Sequence, residues 1–147
     1  QVAYAWQCPT RLAIYANARQ ICYRVCRACV LLKNEGACAY QAFISTSGGY
    51  ERYFEAEGKK FSHIIDLNTG APVETDLTSV TVITENSGLL SDFMSTCVYI
   101  DGTEKIGEYL NNKDFEIIAL DENKNIYCSE SIKNKIEILD KNYNFAS

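Results

Sequence analysis

Residues 77–102 read LTSVTVITENSGLLSDFMSTCVYIDG, and a change of period inside them decides the fold class. Over 77–84, Leu77, Ser79, Thr81 and Ile83 alternate with Thr78, Val80, Val82 and Thr84. β-Branched side chains dominate that run, which predicts a strand with Val80 and Val82 on its buried face. After Asn86 or Ser87, either of which can cap a helix, Leu89, Leu90, Phe93, Met94, Cys97, Val98 and Ile100 recur at helical spacing. Asp101-Gly102 ends that helix, because glycine accepts the left-handed backbone of a C-terminal cap.

Working outward toward the C-terminus, residues 103–110 predict a shorter helix that buries Ile106 and Leu110. Residues 115–120 (FEIIAL) and 126–129 flank a polar turn at 121–125, the arrangement of a hairpin. Residues 132–139 are expected to add a strand, and 142–147 a ragged tail. Toward the N-terminus, 42–46 (AFIST) reads as a strand running into the turn Ser47-Gly48-Gly49. Glu57-Gly58-Lys59-Lys60 is a polar turn, and 61–66 (FSHIID) a strand that leads to a second turn at Asn68-Thr69-Gly70, after which Pro72 keeps the chain extended. Strand, helix pair and hairpin in that order predict an α+β fold with a mixed or antiparallel sheet, one longer helix and one shorter. Residues 11–32 hold enough Ala, Leu, Ile and Arg to be read as helix, although apolar residues fall on every side of it.

The whole chain has 147 residues, 47% hydrophobic, 22% charged and 12% aromatic, with room for one domain and a core. Those fractions exclude a disordered or collagenous chain. A net charge of -5 argues against nucleic-acid binding, which rests on clustered Lys and Arg. No apolar run is long enough to span a bilayer. The averages hide a break near residue 42. Residues 1–42 hold Arg11, Arg19, Arg24, Arg27 and Lys33 against the one acid Glu35, and five of the seven cysteines. The rest carries nine bases, eighteen acids and only Cys97 and Cys128. The division is therefore an atypical Cys- and Arg-rich segment over 1–42 and an acidic domain over 43–147. Because the chain starts at Gln1, has Met94 as its only methionine and lacks signal-peptide zones, it is expected to be a fragment or a processed chain.

Five groups of residues carry candidate chemistry. Cys22, Cys26 and Cys29 have the spacing that holds three irons of a cubane cluster, as in radical S-adenosylmethionine proteins. Ala28 stands where that signature has an aromatic residue, the chain is too short for the barrel those proteins need, and five cysteines in this stretch make a chance match easy. Asp92 and Thr96 lie four apart, so on a helix their carboxylate and hydroxyl share a face and suit one hard cation, Mg²⁺ best of all. The same pair also reads as a first-turn acid and a hydroxyl bonded back to a carbonyl. His63, the only histidine, is either a structural hydrogen-bonding residue or a ligand contact. Thr46, Ser47 and Gly48 at a strand end, and Asp66, Thr69 and Gly70 in a turn, present hydroxyls and backbone amides that suit phosphate or simply shape turns.

Four blocks in order give these residues a context: Thr46-Ser47-Gly48-x-Tyr50-x-Arg52-Tyr53-Phe54, His63-Ile64-Ile65-Asp66-x-x-Thr69-Gly70-x-Pro72, Ser79-Val80-Thr81-Val82, and Asp92-x-x-x-Thr96. Over residues 43–130 the chain resembles the C-terminal portion of the ApbE family, the FAD:protein FMN transferases. The resemblance implies Mg²⁺-dependent transfer of FMN from FAD to a threonine of a target flavoprotein, with release of AMP. Some relatives instead hydrolyse FAD; a flavin-binding module without turnover, or an iron–sulfur protein using Cys22, Cys26 and Cys29, are the other readings. It further implies Asp92 and Thr96 as metal ligands, and Thr46, Ser47, Gly48, His63, Asp66, Thr69 and Gly70 around the flavin nucleotide, with His63 as catalytic candidate. The full-length parent would sit at the cell envelope, reaching a membrane only through an anchor upstream of Gln1. The family has a glycine-rich, strand-forming segment ahead of Thr46 where this chain is rich in Cys and Arg. A shifted reading frame or rearranged gene end before residue 43 would produce such a jump, and sequencing the encoding DNA tests it.

Overall fold

The computed structural model describes residues 15–17, 20–25, 30–32, 42–49, 53–56, 58–85 and 87–146, with backbone alone over 15–32 and at Tyr53, Ala56, Lys59 and Lys60. Its centre is the stretch that opened the sequence reading. Strand β7 (Leu77–Thr84) and helix α1 (Gly88–Asp101) have the expected bounds, with Ser87 as N-cap accepting a hydrogen bond from the Leu90 amide at 3.1 Å. Gly102 closes α1 at φ 68 and donates its amide to the Val98 carbonyl. A side chain there would be strained by that φ, and its Cβ would meet Asp76 Oδ1 at 3.0 Å.

Around β7 a five-stranded sheet assembles in the order β11-β9-β8-β7-β4. Its members are β4 (Phe43–Gly48), β8 (Glu116–Asp121), β9 (Asn125–Cys128) and β11 (Asn144–Phe145). Every pairing is antiparallel except β11 beside β9. β5 (Tyr53–Ala56) and β6 (Lys59–Ser62) form a separate hairpin turned by Gly58 at φ 75. A further sheet runs β1 (Tyr15–Asn17), β2 (Gln20–Val25), β3 (Val30–Leu32) and β10 (Ile136–Ile138). The helices are α1, a short α2 (Ile106–Leu110) entered through a 3-10 turn at Thr103–Lys105, and α3 (Glu130–Lys133). This is the α+β class, with a mostly antiparallel sheet and, among the described residues, three α-helices.

The central sheet is covered on both faces, which corrects the one-sided reading of β7. Val80 and Val82 are fully buried with Ile117, Ala119, Val98, Tyr99 and Ile106 on the α1 side. Thr81 and Ser79 are equally buried on the opposite side, where Ile118, Leu120, Ile126 and Ile132 form a second cluster. Hydroxyls survive there because they are bonded: Thr81 Oγ1 lies 2.8 Å from Thr46 Oγ1.

Other boundaries differ from expectation for local reasons. Within the helix read over 11–32, the described residues 15–17, 20–25 and 30–32 are strands, since Ile21, Tyr23 and Val25 alternate at period two inside QICYRV. β4 continues through Ser47 and Gly48, which pair with Val80 and Ser79, so these two residues are strand and not turn. Lys59 and Lys60 belong to β6 and only the corner around Gly58 turns. The strand expected over 61–66 stops at Ser62, whose Oγ takes the Ile64 amide at 3.1 Å, and resumes only as an Ile65–Pro72 bridge. The segment 132–139 opens with α3, whose Glu130 and Lys133 complement the helix dipole, before β10 begins. The tail docks as β11, where the Ala146 amide donates to Ile126 O at 2.9 Å and Lys133 Nζ sits 5.7 Å above the Phe145 ring. Among the described residues no helix is long and apolar enough to cross a membrane.

Candidate functional site

The seam between β4 and α1 brings two of the sequence blocks together. Strand alternation sends Ser45 and Ser47 to the same side of β4, and helix spacing puts Ser91 and Ser95 one turn apart on α1. Two strand residues advance about 6.6 Å and four helix residues about 6 Å, so the two pairs of hydroxyls meet in register. Ser45 Oγ lies 2.9 Å from Ser91 Oγ, and Ser47 Oγ 2.9 Å from Ser95 Oγ. Ser47 Oγ also lies 3.0 Å from Thr96 Oγ1. Ser91 and Ser95 are wholly buried, and small side chains here let the helix lie close on the strand.

Thr96 thus has one hydroxyl between the strand and its own helix, where it also reaches the Asp92 carbonyl at 3.3 Å. Asp92 is exposed, and among the described residues its carboxylate has no hydrogen-bond or ion-pair partner. Nor do the described residues gather three His, Cys, Asp or Glu side chains around any point. The donors at this seam are therefore hard oxygens and few. That fits Mg²⁺, which keeps several waters and takes one or two protein carboxylates plus phosphate oxygens. Asp92 and Thr96 are the residues that would hold it.

Tyr99, one turn beyond Thr96, links the remaining blocks to this seam and was not singled out by the sequence reading. It is 4% exposed, and its phenol oxygen is hydrogen-bonded by the Gly49 backbone and the Ser62 side chain. Burial pushes the phenol up from its ordinary pKa against the opposing pull of those two bonds. A Cβ on Gly49 would come within 2.5 Å of the Tyr99 hydroxyl oxygen, so glycine is needed there for close approach. One phenol consequently ties the end of β4 and the end of β6, just ahead of His63, to the helix that carries Asp92 and Thr96. The signal that could have revealed it is the pairing of serines at period two (Ser45, Ser47) with serines at period four (Ser91, Ser95), which turns Val98 and Tyr99 inward.

The other expected site residues are placed as follows. Thr46 is exposed on the opposite face of β4 from Ser47, bonded to Thr81. Gly48 is buried in the ladder with Ser79. His63 is exposed in the bend after β6. Asp66, Thr69 and Gly70 make a self-contained turn. Asp66 Oδ1 accepts the Asn68 amide at 2.8 Å, Asp66 O accepts that of Gly70 at 2.8 Å, and Thr69 Oγ1 accepts that of Ala71 at 3.3 Å. Asp66 N–H donates to Ala71 O, so four amides of the turn are spent within it. Ile64 and Val73 pack the turn's base against the core, while Leu67 at its tip is 95% exposed. Tyr50 and Arg52 of the first block lie outside the described residues, as do Cys26 and Cys29; Cys22 is described by backbone alone. Cys97 and Cys128 are both pushed up in pKa, chiefly by burial, which keeps them as thiols.

Residues 28–120 match the model of the ApbE family, a span that begins ahead of the boundary read near residue 42. A FAD:protein FMN transferase of Klebsiella pneumoniae (strain 342) is 38% identical over 101 residues, covering 68% of this chain and 32% of the relative. One of Escherichia coli (strain K12) is 42% identical over 77 residues, covering 52% of this chain and 22% of the relative. The crystal structure of the ApbE protein from Thermotoga maritima superposes with a TM-score of 0.58 at 29% identity, over 71% of this chain and 33% of that one. The chain thus spans about a third, or less, of the length of these relatives.

Proposed function

The chain belongs to the ApbE family, and on that premise we propose that it is the C-terminal portion of a Mg²⁺-dependent FAD:protein FMN transferase. The reaction moves FMN from FAD to a threonine hydroxyl of a target flavoprotein. The threonine oxygen forms a bond to the FMN phosphorus, the diphosphate P–O bond breaks, AMP leaves with the electron pair, and the hydroxyl proton passes to a base. A cation on Asp92 and Thr96 would neutralise charge on the diphosphate.

The observation that carries this reading is the convergence of the first and last sequence blocks, with Ser47 Oγ 3.0 Å from Thr96 Oγ1 and the unpartnered Asp92 carboxylate one turn away. Residues far apart in the chain meet at one place lined by hydroxyl oxygens, next to a carboxylate left open to solvent. By their sequence blocks, exposed Thr46 and His63 and the 66–70 turn are assigned to the nucleotide, Thr46 from the opposite face of β4 and His63 as ligand contact or proton acceptor. We place the parent protein at the cell envelope, a point that fractionation of cells carrying the full-length gene tests.

Incubating the chain with FAD and Mg²⁺ and measuring AMP tests the reaction. AMP release that is lost in Asp92→Ala supports it, and release unchanged in that variant overturns the metal assignment. Because this chain spans only a third of its Klebsiella relative, retained FAD binding without AMP would instead identify a flavin-binding module. Free FMN appearing in place of flavinylated target protein would identify FAD hydrolysis.

A further inference from the structure

The hydrogen-bond directions at the β4–α1 seam follow from counting protons and keeping the shortest contacts, since a serine or threonine hydroxyl has one proton to give. On the upper rung, Ser91 Oγ donates to the Gly88 carbonyl at 2.9 Å, so its bond to Ser45 must be one it accepts. On the lower rung, Ser95 Oγ donates to the Asp92 carbonyl at 2.9 Å, so Ser47 donates to Ser95. Ser47 has then spent its proton. Its 3.0 Å contact with Thr96 is then a bond that Thr96 donates. That bond is shorter than the 3.3 Å alternative from Thr96 to the Asp92 carbonyl. The resulting chain runs Thr96 to Ser47 to Ser95 to Asp92 C=O, and it leaves the Thr96 oxygen with its lone pairs uncommitted.

We propose that Ser47 is a positioning residue for cation binding: by accepting the Thr96 hydroxyl hydrogen, it holds the Thr96 oxygen as a lone-pair donor toward the cation held by Asp92. A hydroxyl can ligate a cation only through a lone pair, so its hydrogen has to be directed elsewhere, and partners of this kind orient ligands at metal sites generally. The role differs from the nucleotide contact expected for Ser47 from its block, because its oxygen is committed to the helix on both sides. The inference rests on Asp92 and Thr96 being cation ligands.

The test uses the 147-residue chain and Mn²⁺ alone, with binding followed by the electron paramagnetic resonance of the free ion and folding by thermal melting. Wild type is expected to bind one Mn²⁺, Asp92→Ala to lose that binding, and Ser47→Ala to weaken it roughly 10- to 100-fold. Ser45→Ala removes an equivalent seam hydrogen bond away from Thr96 and is expected to leave Mn²⁺ affinity unchanged, which separates ligand positioning from general loosening of the seam. Thr96→Val is expected to weaken binding, and adding Ser47→Ala to it to cost nothing further, because Ser47 acts through Thr96. Wild-type affinity in Ser47→Ala, equal losses in Ser45→Ala and Ser47→Ala, or additive losses in the double variant would each overturn the role of Ser47 while leaving Asp92 as a ligand. If the wild-type chain binds no Mn²⁺, or Asp92→Ala binds it normally, the metal reading itself falls and the inference with it.

Discussion

Tyr99 makes a single hydroxyl answerable for how three segments meet. Its oxygen serves the Gly49 backbone and the Ser62 side chain, while the ring behind it fills the core beneath α1. A Cβ added at Gly49 would stand 2.5 Å from that oxygen but 3.7 Å from the ring carbon that bears it. Gly49→Ala should therefore destabilise the chain by about 1–3 kcal/mol through overpacking. Tyr99→Phe alone should cost about 1–3 kcal/mol, because it leaves the bonding groups at Gly49 and Ser62 without their partner. Combined, the two should cost clearly less than their sum, since removing the oxygen removes the clash. Urea unfolding of the four proteins in the cycle measures this, and strict additivity would mean that Gly49 does not approach Tyr99 closely. At this scale Asp92, Thr96 and His63 stand out in the sequence as site candidates only because they belong to ordered blocks. Tyr99 does not, because nothing local distinguishes a buried phenol from any other aromatic residue on a helix.

Helix α1 shows how a bulk hydrophobic pattern can be wider than the face that is buried. Of the seven apolar residues read at helical spacing, Val98 is buried and Leu90 and Met94 pack on the core, but Leu89 and Phe93 are 81% and 62% exposed, and Ser91, Ser95 and Tyr99 take buried places beside Val98. The helix boundaries were legible because caps are local: Ser87 and Gly102 act through neighbours within a few residues. The inner face was not, because it is set by serines of β4, more than forty residues earlier. The consequence is measurable as an inversion of the usual rule. Ser91→Leu should destabilise the fold by about 1–3 kcal/mol by forcing the helix off the strand, whereas Leu89→Ser should change stability by less than about 0.5 kcal/mol. Denaturant midpoints compare them, and a greater loss from the leucine variant would restore the original face. At its other end α1 is tied to α2 by Asp101, which accepts a short hydrogen bond from Tyr109 and pairs with Lys105 at 2.9 Å. The bond to Asp101 pushes the Tyr109 phenol up to about 12 from the ordinary 10.0, with burial adding to the shift. The tie from this phenol is fully present below pH 10 and weakens from pH 10 to about 12, where the unfolded chain loses its proton first. Tyr109's bond and then Lys105 hold Asp101 below the usual carboxylate range, so its contribution is present above pH 3.8 and lost at lower pH. Tyr109→Phe should remove a phenol ionising near pH 12 from the absorbance titration and soften the alkaline loss of stability. A titration curve unchanged by that substitution would place the late-ionising phenol elsewhere.

At the scale of the whole molecule, the abrupt change of composition near residue 42 and the family match starting at residue 28 set the domain edge at different places. The sheet pattern gives each a physical meaning. All five described strands of the central sheet, and α1 with them, lie after residue 42, so among the described residues that unit takes no backbone pairing from earlier in the chain. Strand β3 is different, because Val30, Leu31 and Leu32 pair with Ile138, Glu137 and Ile136 of β10. Ile136 and Ile138 in turn pack against the cluster of Ile118, Leu120, Ile126 and Ile132 beneath the central sheet. A chain beginning at residue 28 keeps that edge covered, whereas one beginning at residue 43 leaves the hydrogen-bonding groups of β10 to water. Both truncated chains should therefore unfold cooperatively. The shorter one should show faster amide hydrogen exchange confined to 136–138, with protection in β7, β8 and α1 unchanged. Equal protection of β10 in both would mean that the compositional break is the true edge. Loss of cooperative unfolding on removing 1–42 would mean that the basic, Cys-rich stretch is part of the domain despite its foreign composition.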